Sequence, residues 1–570
     1  MKTYKTDVLV VGGGGAATSA TVAAHDAGAR TTMAVKGRFG IPGVRGAGAT
    51  SNPIADFWTL RTVGPDGSFF NPPDLVHADM VQSGLGMADP ELCRIYVDEV
   101  SDAIKRLRSM GMRFQSKVLA TMEARKSELK TNRIVAVQKA VIEGTDTRVI
   151  EGANLTDLVV EGGRVTGAVG IDDGGEPFVV SAGAVILATG GVGQLFRFSF
   201  NPPGNTGDGY AMAMRAGADL FNMEFMQQGL ATTYPQQAMV MLYEMEEPYR
   251  LLDRHGRYFL EDHLPEGVDL LEVCQRKAEH WPVSARDAAR HLDVAIKRAT
   301  LAGGASGEGG IFLDLAHARR GFMPELFEEF MKDRGIDITR DLVQVQVHHH
   351  TSNGGIRIDA RGQSTLEGLF AVGEVAGWQG ADRLGGTMLG GSQVFGRRAG
   401  ERAGELAKGW DHEVSREAAE PLIEPLTRFG EAGGKLRPGE ILGGLQQTTW
   451  ETLIVEKDAE SLERARTFIA EERGRLSTDL RIAEPFDRVL AAEHRNLLDV
   501  AEAIVEAADL REESRGAHLR SDFPERDDAN WLTTIKARHV EGELRLRREW
   551  INEERGWEDR PGDIRIKPWG

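Results

Sequence analysis

The segment Asp7-Val-Leu-Val-Val-Gly-Gly-Gly-Gly-Ala-Ala17 joins an apolar run to Gly12-x-Gly14-x-x-Ala17, and an alanine-rich stretch follows from Thr18 to Ala27. The chemistry this pattern serves is the binding of a pyrophosphate. Gly12 permits a tight turn, Gly14 lets the backbone approach the phosphates, and Ala17 lets a helix pack on the strand with its N-terminus facing the charge. The pattern specifies a dinucleotide and leaves FAD and NAD both open. In Gly368-Leu-Phe-Ala-Val-Gly-Glu-Val-Ala376 a strand ends at Gly373 and an acid, Glu374, follows. An acid there is placed to accept hydrogen bonds from the hydroxyls of a cofactor's sugar chain. Gly380-Ala-Asp-Arg-Leu-Gly-Gly386 comes next, then a helix expected from near Leu389, whose N-terminus suits the electron-rich end of a flavin ring. His348-His-His350 raises a metal as a third possibility. Successive strand residues face opposite sides, so only His348 and His350 share a face, and two histidines without a placed third ligand make a poor zinc site; no metal is expected.

These residues need a β-α-β frame. The sequence predicts a strand at 7–11, a helix at 15–27 and a strand at 31–35, then a Gly- and Pro-rich loop over 37–53. Helical periodicity spans 86–111, opened by Pro90-Glu91 and closed by Gly111. Short β-runs with glycine turns fill 148–187 and lead into Ala184-Val-Ile-Leu-Ala-Thr-Gly-Gly191. The pattern turns irregular between about 225 and 340, which reads as an inserted domain, and buried-strand style returns at 368. Beyond 410 the chain reads as charged helices (Glu460 to Glu472, Pro485 to Arg511) and then a polar tail.

At 570 residues the chain exceeds one core. Its net charge of -18 argues against nucleic acid or an anionic membrane, and any anionic substrate needs a local basic site. Two cysteines, Cys93 and Cys274, are too few for an iron–sulfur cluster or a disulfide framework, so a reducing compartment is expected. No apolar run approaches a membrane span, so no direct membrane insertion is expected. The N-terminus leaves no room for a signal peptide, and the expected location is the cytoplasm.

The order and spacing of these motifs resemble the flavoprotein family of fumarate reductase, succinate dehydrogenase and L-aspartate oxidase. The resemblance rests on the glycine loop, Ala188-Thr-Gly-Gly191, Thr206-Gly-Asp-Gly-Tyr-Ala-Met-Ala-Met-Arg-Ala-Gly217, Met223-Glu-Phe225 and Ser284-Ala-Arg-Asp287. It continues through His350-x-x-x-Gly-Gly355, Gly373-Glu374, Arg383-Leu-Gly-Gly386, Glu513-Ser-Arg-Gly-Ala-His518 and Asp522-Phe-Pro-Glu-Arg-Asp-Asp528. It implies an α/β fold with a Rossmann-type FAD-binding domain, an inserted α+β capping domain and a C-terminal helical domain. The corresponding division is 1–225 and 346–408 for FAD binding, 226–345 for the cap, and 409–570 for the helical domain and tail. The implied cofactor set is Gly12, Gly14, Gly15, Ala16, Ala17, Lys36, Gly46, Ala47, Gly48, Thr189, Gly190, Asp208, Gly373, Glu374, Met388 and Leu389. The implied reaction is hydride transfer between flavin N5 and one carbon of a carboxylic acid, a protein group handling the proton on the neighbouring carbon. Arg286 matches the proton-transfer arginine, which can serve only if desolvated and joined to a relay. Arg383 matches the carboxylate clamp, for which a guanidinium fork suits better than lysine, and His350 the carboxylate-binding histidine.

The chain also departs from the family. Covalently flavinylated members carry a histidine in the loop after the second strand; here Gly43 falls near that point and no histidine occurs between His25 and His77, so dissociable FAD is expected. Thr31-Thr-Met-Ala-Val-Lys36 ends without the acid that often grips a ribose, which weakens a NAD reading. The family's Gln-Phe-His-Pro-Thr run is replaced by Met226-Gln-Gln-Gly-Leu-Ala231, so a second substrate histidine is missing. Glu246-Glu-Pro-Tyr-Arg250 takes the place of another pocket segment, and Glu247 and Arg250 keep the acid-x-x-arginine spacing of a proton relay to Arg286. A small carboxylate substrate, not strictly succinate or fumarate, is therefore expected. The alternatives are an amino-acid oxidase like L-aspartate oxidase, or one component of an electron-transfer assembly with a separate iron–sulfur partner.

Overall fold

The computed structural model describes residues 1–42, 44–46, 48–51, 59–60, 62–116, 121–123, 133–240, 250–316, 331–338 and 340–550. Its first unit is β1 (Lys2–Val11), α1 (Gly15–Asp26) and β2 (Thr31–Val35). β1 starts five residues before the expected strand because the polar stretch Lys2–Thr6 pairs in register with Phe178–Ala182 of β3 (Pro177–Leu187), a ladder that local hydrophobicity does not reveal. In the seven-stranded sheet Arg148–Glu151, β2, β1 and β3 run parallel, and Arg164–Asp172 and Ala153–Glu161 continue it antiparallel. Val8, Leu9 and Val10 are fully buried, as near-continuous apolar runs must be in a sheet covered on both faces.

A second, four-stranded antiparallel sheet has β4 (Met226–Tyr234) at one edge beside β5 (Val343–Ser352), followed by Ile311–Asp314 and Arg250–Leu252. The expected boundary at 345/346 falls inside β5, which runs from this sheet towards the first. There β6 (Leu369–Ala371) lies parallel to β3 and delivers Gly373. The following helix, α2 (Thr387–Ala407), starts two residues before Leu389.

α2 lies along α1 through one stripe of glycines. A Cβ at Gly396 would stand 2.9 Å from the carbonyl oxygen of Ala16, at Gly400 2.3 Å from that of Ala20, and at Gly404 2.8 Å from Cβ of Ala27. The spacing of four keeps them on one helix face. The two backbones touch, and both helix N-termini reach the same end of the sheet.

Four helices follow, Arg416–Thr427, Pro438–Leu453, Ala459–Thr478 and Phe486–Leu510. The first packs Ala419 and Ile423 on Val159, Val169 and Val179 of the large sheet. The segment read as a polar tail contains an antiparallel hairpin, Thr533–Val540 with Glu543–Trp550. It pairs with Leu220–Phe221, which in turn pairs with Gly355–Ile356. Its polar composition hid it: only the residues facing the body of the protein, such as Ile535 and Ala537, are apolar and buried.

Gly400→Ala tests the helix seam. In an open helix the change adds about 0.5–1 kcal/mol of stability, whereas overpacking costs about 1–3 kcal/mol. The clash with the Ala20 carbonyl should win, and the melting temperature should fall; a higher melting temperature would mean that the helices are free to separate.

Candidate active site

At the carboxyl end of β1 the chain is shaped by contacts that exclude side chains. Gly12 has φ 131°, and a Cβ there would lie 2.3 Å from the Ala188 carbonyl oxygen. A Cβ at Gly13 would lie 2.1 Å from the Gly46 oxygen, and one at Gly48 2.8 Å from Cα of Gly14. Gly373, at φ 78°, brings its backbone against Ala16. The loops holding Gly12, Gly14, Gly15, Ala16 and Ala17, Gly46 and Gly48, Thr189 and Gly190, and Gly373 and Glu374 thus meet at the start of α1. Met388 and Leu389 sit in the first turn of α2.

This cradle suits a dinucleotide on two counts. It presents bare backbone beside a helix N-terminus, where phosphates are stabilised. It also holds buried polar atoms with no partner, Oγ1 of Thr189, Nδ2 of Asn205 and Oγ of Ser352, which a polar cofactor would satisfy. Glu374 accepts a hydrogen bond from the Ser352 backbone N–H at 3.0 Å, and burial pushes its carboxyl above the usual range.

Lys36 and Asp208 have their side chains committed elsewhere. Nζ of Lys36 lies 2.5 Å from Asp208 and 2.6 Å from Glu493, and Asn496 donates to Asp208 at 3.0 Å. Burial opposes ionisation of Asp208, but Lys36 overrides it and holds the carboxyl low. The pair ties the 204–208 loop to the helix Phe486–Leu510. Ala47 and Gly43 lie outside the described residues.

A second cluster forms where β4, β5 and two loops meet. His350, on β5, has Nδ1 3.0 Å from Oε1 of Gln227, on β4. Arg383 donates to that same oxygen at 2.7 Å, and its Nη2 is 3.4 Å from Nδ1 of His350. A carbonyl oxygen can only accept, so Nδ1 of His350 carries the proton and Nε2 is left with a lone pair. Burial and the neighbouring Arg383 push the imidazole far below its usual pKa, so it is neutral at pH 7. Burial also lowers Arg383 to about 10, against the pull of Glu374 and Asp382.

Arg286 comes from a loop that follows the helix Leu270–Glu279 and runs beside β4, where the Val283 N–H donates to the Gln228 carbonyl at 2.9 Å. Nε of Arg286 is 3.7 Å from Asp382 and 3.9 Å from Asp287. His280 bridges the same two carboxylates, at 3.4 Å from each. Burial works against protonation of His280, but Asp287 and Asp382 win and raise its pKa. Asp382 is fully buried; despite that, His280 and Arg286 keep it ionised. Nη1 of Arg286 and Nε of Arg383 are buried donors without a partner, as expected of a site built to receive an anion.

Arg286, His350 and Arg383 are therefore brought together through Gln227 and Asp382. Arg250 sits on the edge strand opposite β4, 3.9 Å from Asp314. Glu247 lies outside the described residues. His348 is hydrogen-bonded to the Gln346 carbonyl, and His349 stacks on Phe196. Sequence reasoning missed His280, Trp281 and Gln227. The only local signal for the first two was a His-Trp-Pro run just before Ser284-Ala-Arg-Asp287.

Comparison with known proteins agrees with this geometry. A family profile described as FAD binding domain matches residues 7–389, and one described as fumarate reductase flavoprotein C-term matches 443–558. The flavoprotein-like chain of the fumarate reductase (CoM/CoB) of Methanothermobacter marburgensis is 32% identical over 556 residues, covering 92% of this chain and 95% of that protein. L-aspartate oxidase of Streptomyces coelicolor is 30% identical over 566 residues, covering 93% and 91%. The solved structure of Mycobacterium smegmatis Sdh1 in complex with UQ1 superposes with a TM-score of 0.79 at 25% identity, covering 96% of this chain and 94% of that one. The fold and site define an FAD-dependent oxidoreductase acting on CH–CH or CH–NH bonds. The chain belongs to the flavoprotein family of fumarate reductase, succinate dehydrogenase and L-aspartate oxidase.

Proposed function

We propose that this chain interconverts a saturated and an α,β-unsaturated carboxylic acid. Arg383 and His350 hold the carboxylate and Arg286 exchanges the proton. The observation that carries this reading is the convergence of two guanidinium groups and a neutral imidazole on Gln227 and Asp382, with guanidinium donors left unpartnered. In this reading, residues 1–225 and 346–408 hold the cofactor, 226–345 cap it and 409–570 complete the shell. The glycine loop and α1 would receive the FAD pyrophosphate, Glu374 its sugar-chain hydroxyls, and the α2 start around Met388 and Leu389 the electron-rich side of the ring. Bound FAD supplies hydride chemistry at N5. It is held without a covalent bond, since the chain offers no histidine between His25 and His77.

In the reductive direction Arg286 gives one guanidinium proton to the substrate carbon and regains one through the carboxylate ring it faces. That ring consists of Asp287, Asp382 and His280, with the buried Lys277–Asp293 pair behind it. His280 is a positioning and relay residue that takes the place expected for Glu247 and Arg250. Amino-acid oxidation remains the competing chemistry, favoured by the likeness to an L-aspartate oxidase; peroxide release on addition of amino acids would select it. Two relatives are named as components of larger enzymes, which also supports a separate electron-transfer partner such as an iron–sulfur protein. Among the described residues no helix is long and apolar enough to cross a membrane, and both cysteines are buried and free.

Acid precipitation of the yellow protein should release the flavin to the supernatant; flavin in the pellet would mean covalent attachment. Arg286→Ala should keep the fold and the flavin but lose about 10²–10⁴-fold in turnover, the range of general acid catalysis. Near-normal turnover would remove Arg286 from the proton route. The pKa of His280 is raised, so its imidazolium persists above pH 6.5, and reductive turnover should fall as pH rises through that higher value. His280→Gln should slow turnover and abolish this alkaline limb while flavin content is unchanged; an identical pH profile would exclude His280 from the relay.

A further inference from the structure

Beside His350 the site carries an aromatic wall. Gly229 on β4 has no side chain because there is no room for one. A Cβ there would lie 2.3, 2.5 and 2.7 Å from Cζ2, Cε2 and Cη2 of the Trp281 indole. The indole is held in this place, since its Nε1–H donates to the Leu230 carbonyl at 2.9 Å. Trp281 meets His350 edge to face at a centroid distance of 5.1 Å. Phe200 does the same to His350 at 5.4 Å and to Trp281 at 5.5 Å. All three rings are half-buried, so part of each still faces open space next to the Arg383 donors.

The charges of the cluster point the same way. Asp287 and Asp382 stand against Arg286, Arg383 and a protonated His280, leaving one positive charge in excess. That excess balances one carboxylate. A second carboxylate lying against Trp281 and Phe200 would be desolvated without a cation, facing rings whose π-surfaces carry negative potential. A flat apolar group loses nothing there and gains contact area.

We propose that the substrate is an acid with a single anchored carboxylate and a planar apolar substituent at the far end of the reacting bond, received by Trp281 and Phe200. This rests on the reading that Arg383 and His350 hold the carboxylate. Trp281 then acts as a specificity residue: it excludes a polar side chain at position 229 and offers its ring in exchange.

The test uses the flavin-loaded protein and three saturated acids as probes, succinate, butyrate and 3-phenylpropionate, with binding followed by the flavin absorbance. 3-Phenylpropionate should bind at least tenfold more tightly than succinate. Trp281→Ala should weaken 3-phenylpropionate more than tenfold and butyrate less than threefold. Trp281→Phe, which keeps a ring, should restore most of the loss. Tighter binding of succinate by the unaltered protein, or unchanged 3-phenylpropionate binding in Trp281→Ala with full flavin content, would overturn the assignment of substrate class and leave the carboxylate reading standing. If none of the three acids perturbs the flavin and Arg383→Ala changes nothing, the carboxylate reading itself falls, and this inference with it.

Discussion

Backbone contact between α1 and α2 is the constraint on which the rest of this protein depends. Gly396, Gly400 and Gly404 have no side chains, so α2 can lie directly on the alanine face of α1. Two parallel helix N-termini then open at one end of the sheet, each with its unpaired N–H groups and partial positive charge. One lies at the glycine loop. The other follows directly from the segment Asp382-Arg383, so the helix seam couples the dinucleotide cradle to the anion cluster.

Asp382 organises the second half of the site. It is a carboxylate without solvent exposure, and that is costly unless cations and donors surround it. The Arg383 backbone N–H, Arg286 and His280 do so. The loops carrying these groups are braced from behind by the segment after the last long helix. The Gly516 carbonyl accepts from the Ala285 N–H at 2.7 Å, and the Ala517 N–H donates to the Ala381 carbonyl at 2.9 Å. That segment is itself fixed by Glu513 between Arg511 and Arg515, all three fully buried. Such a network adds little net stability. Its value is geometric, because it sets the loop of Arg286 against the loop of Arg383.

The neutral state of His350 follows from the same crowding. A buried imidazole beside a guanidinium cannot afford a second positive charge. An arriving carboxylate changes that balance and favours the imidazolium, whose Nε2–H would then donate to it. Protonation at this position is thus tied to ligand binding, whereas His280, held between two carboxylates, is protonated before any ligand arrives.

The amino-acid sequence by itself determined the nucleotide unit and the identity of the reactive arginines. Glycine spacing, a buried strand and a small-residue helix are local features, and Arg286 and Arg383 lie inside ordered motifs. What only the tertiary structure decided are the contacts between distant segments. Gln227 reaches Arg383 across 156 positions, Lys36 meets Glu493 across 457, and the terminal hairpin pairs with Leu220–Phe221. Periodicity and composition are blind to such pairings, because a polar side chain facing solvent and one facing a buried partner look alike in sequence. The same holds for Gly229: the sequence shows a missing side chain, and only packing shows that Trp281 occupies its space.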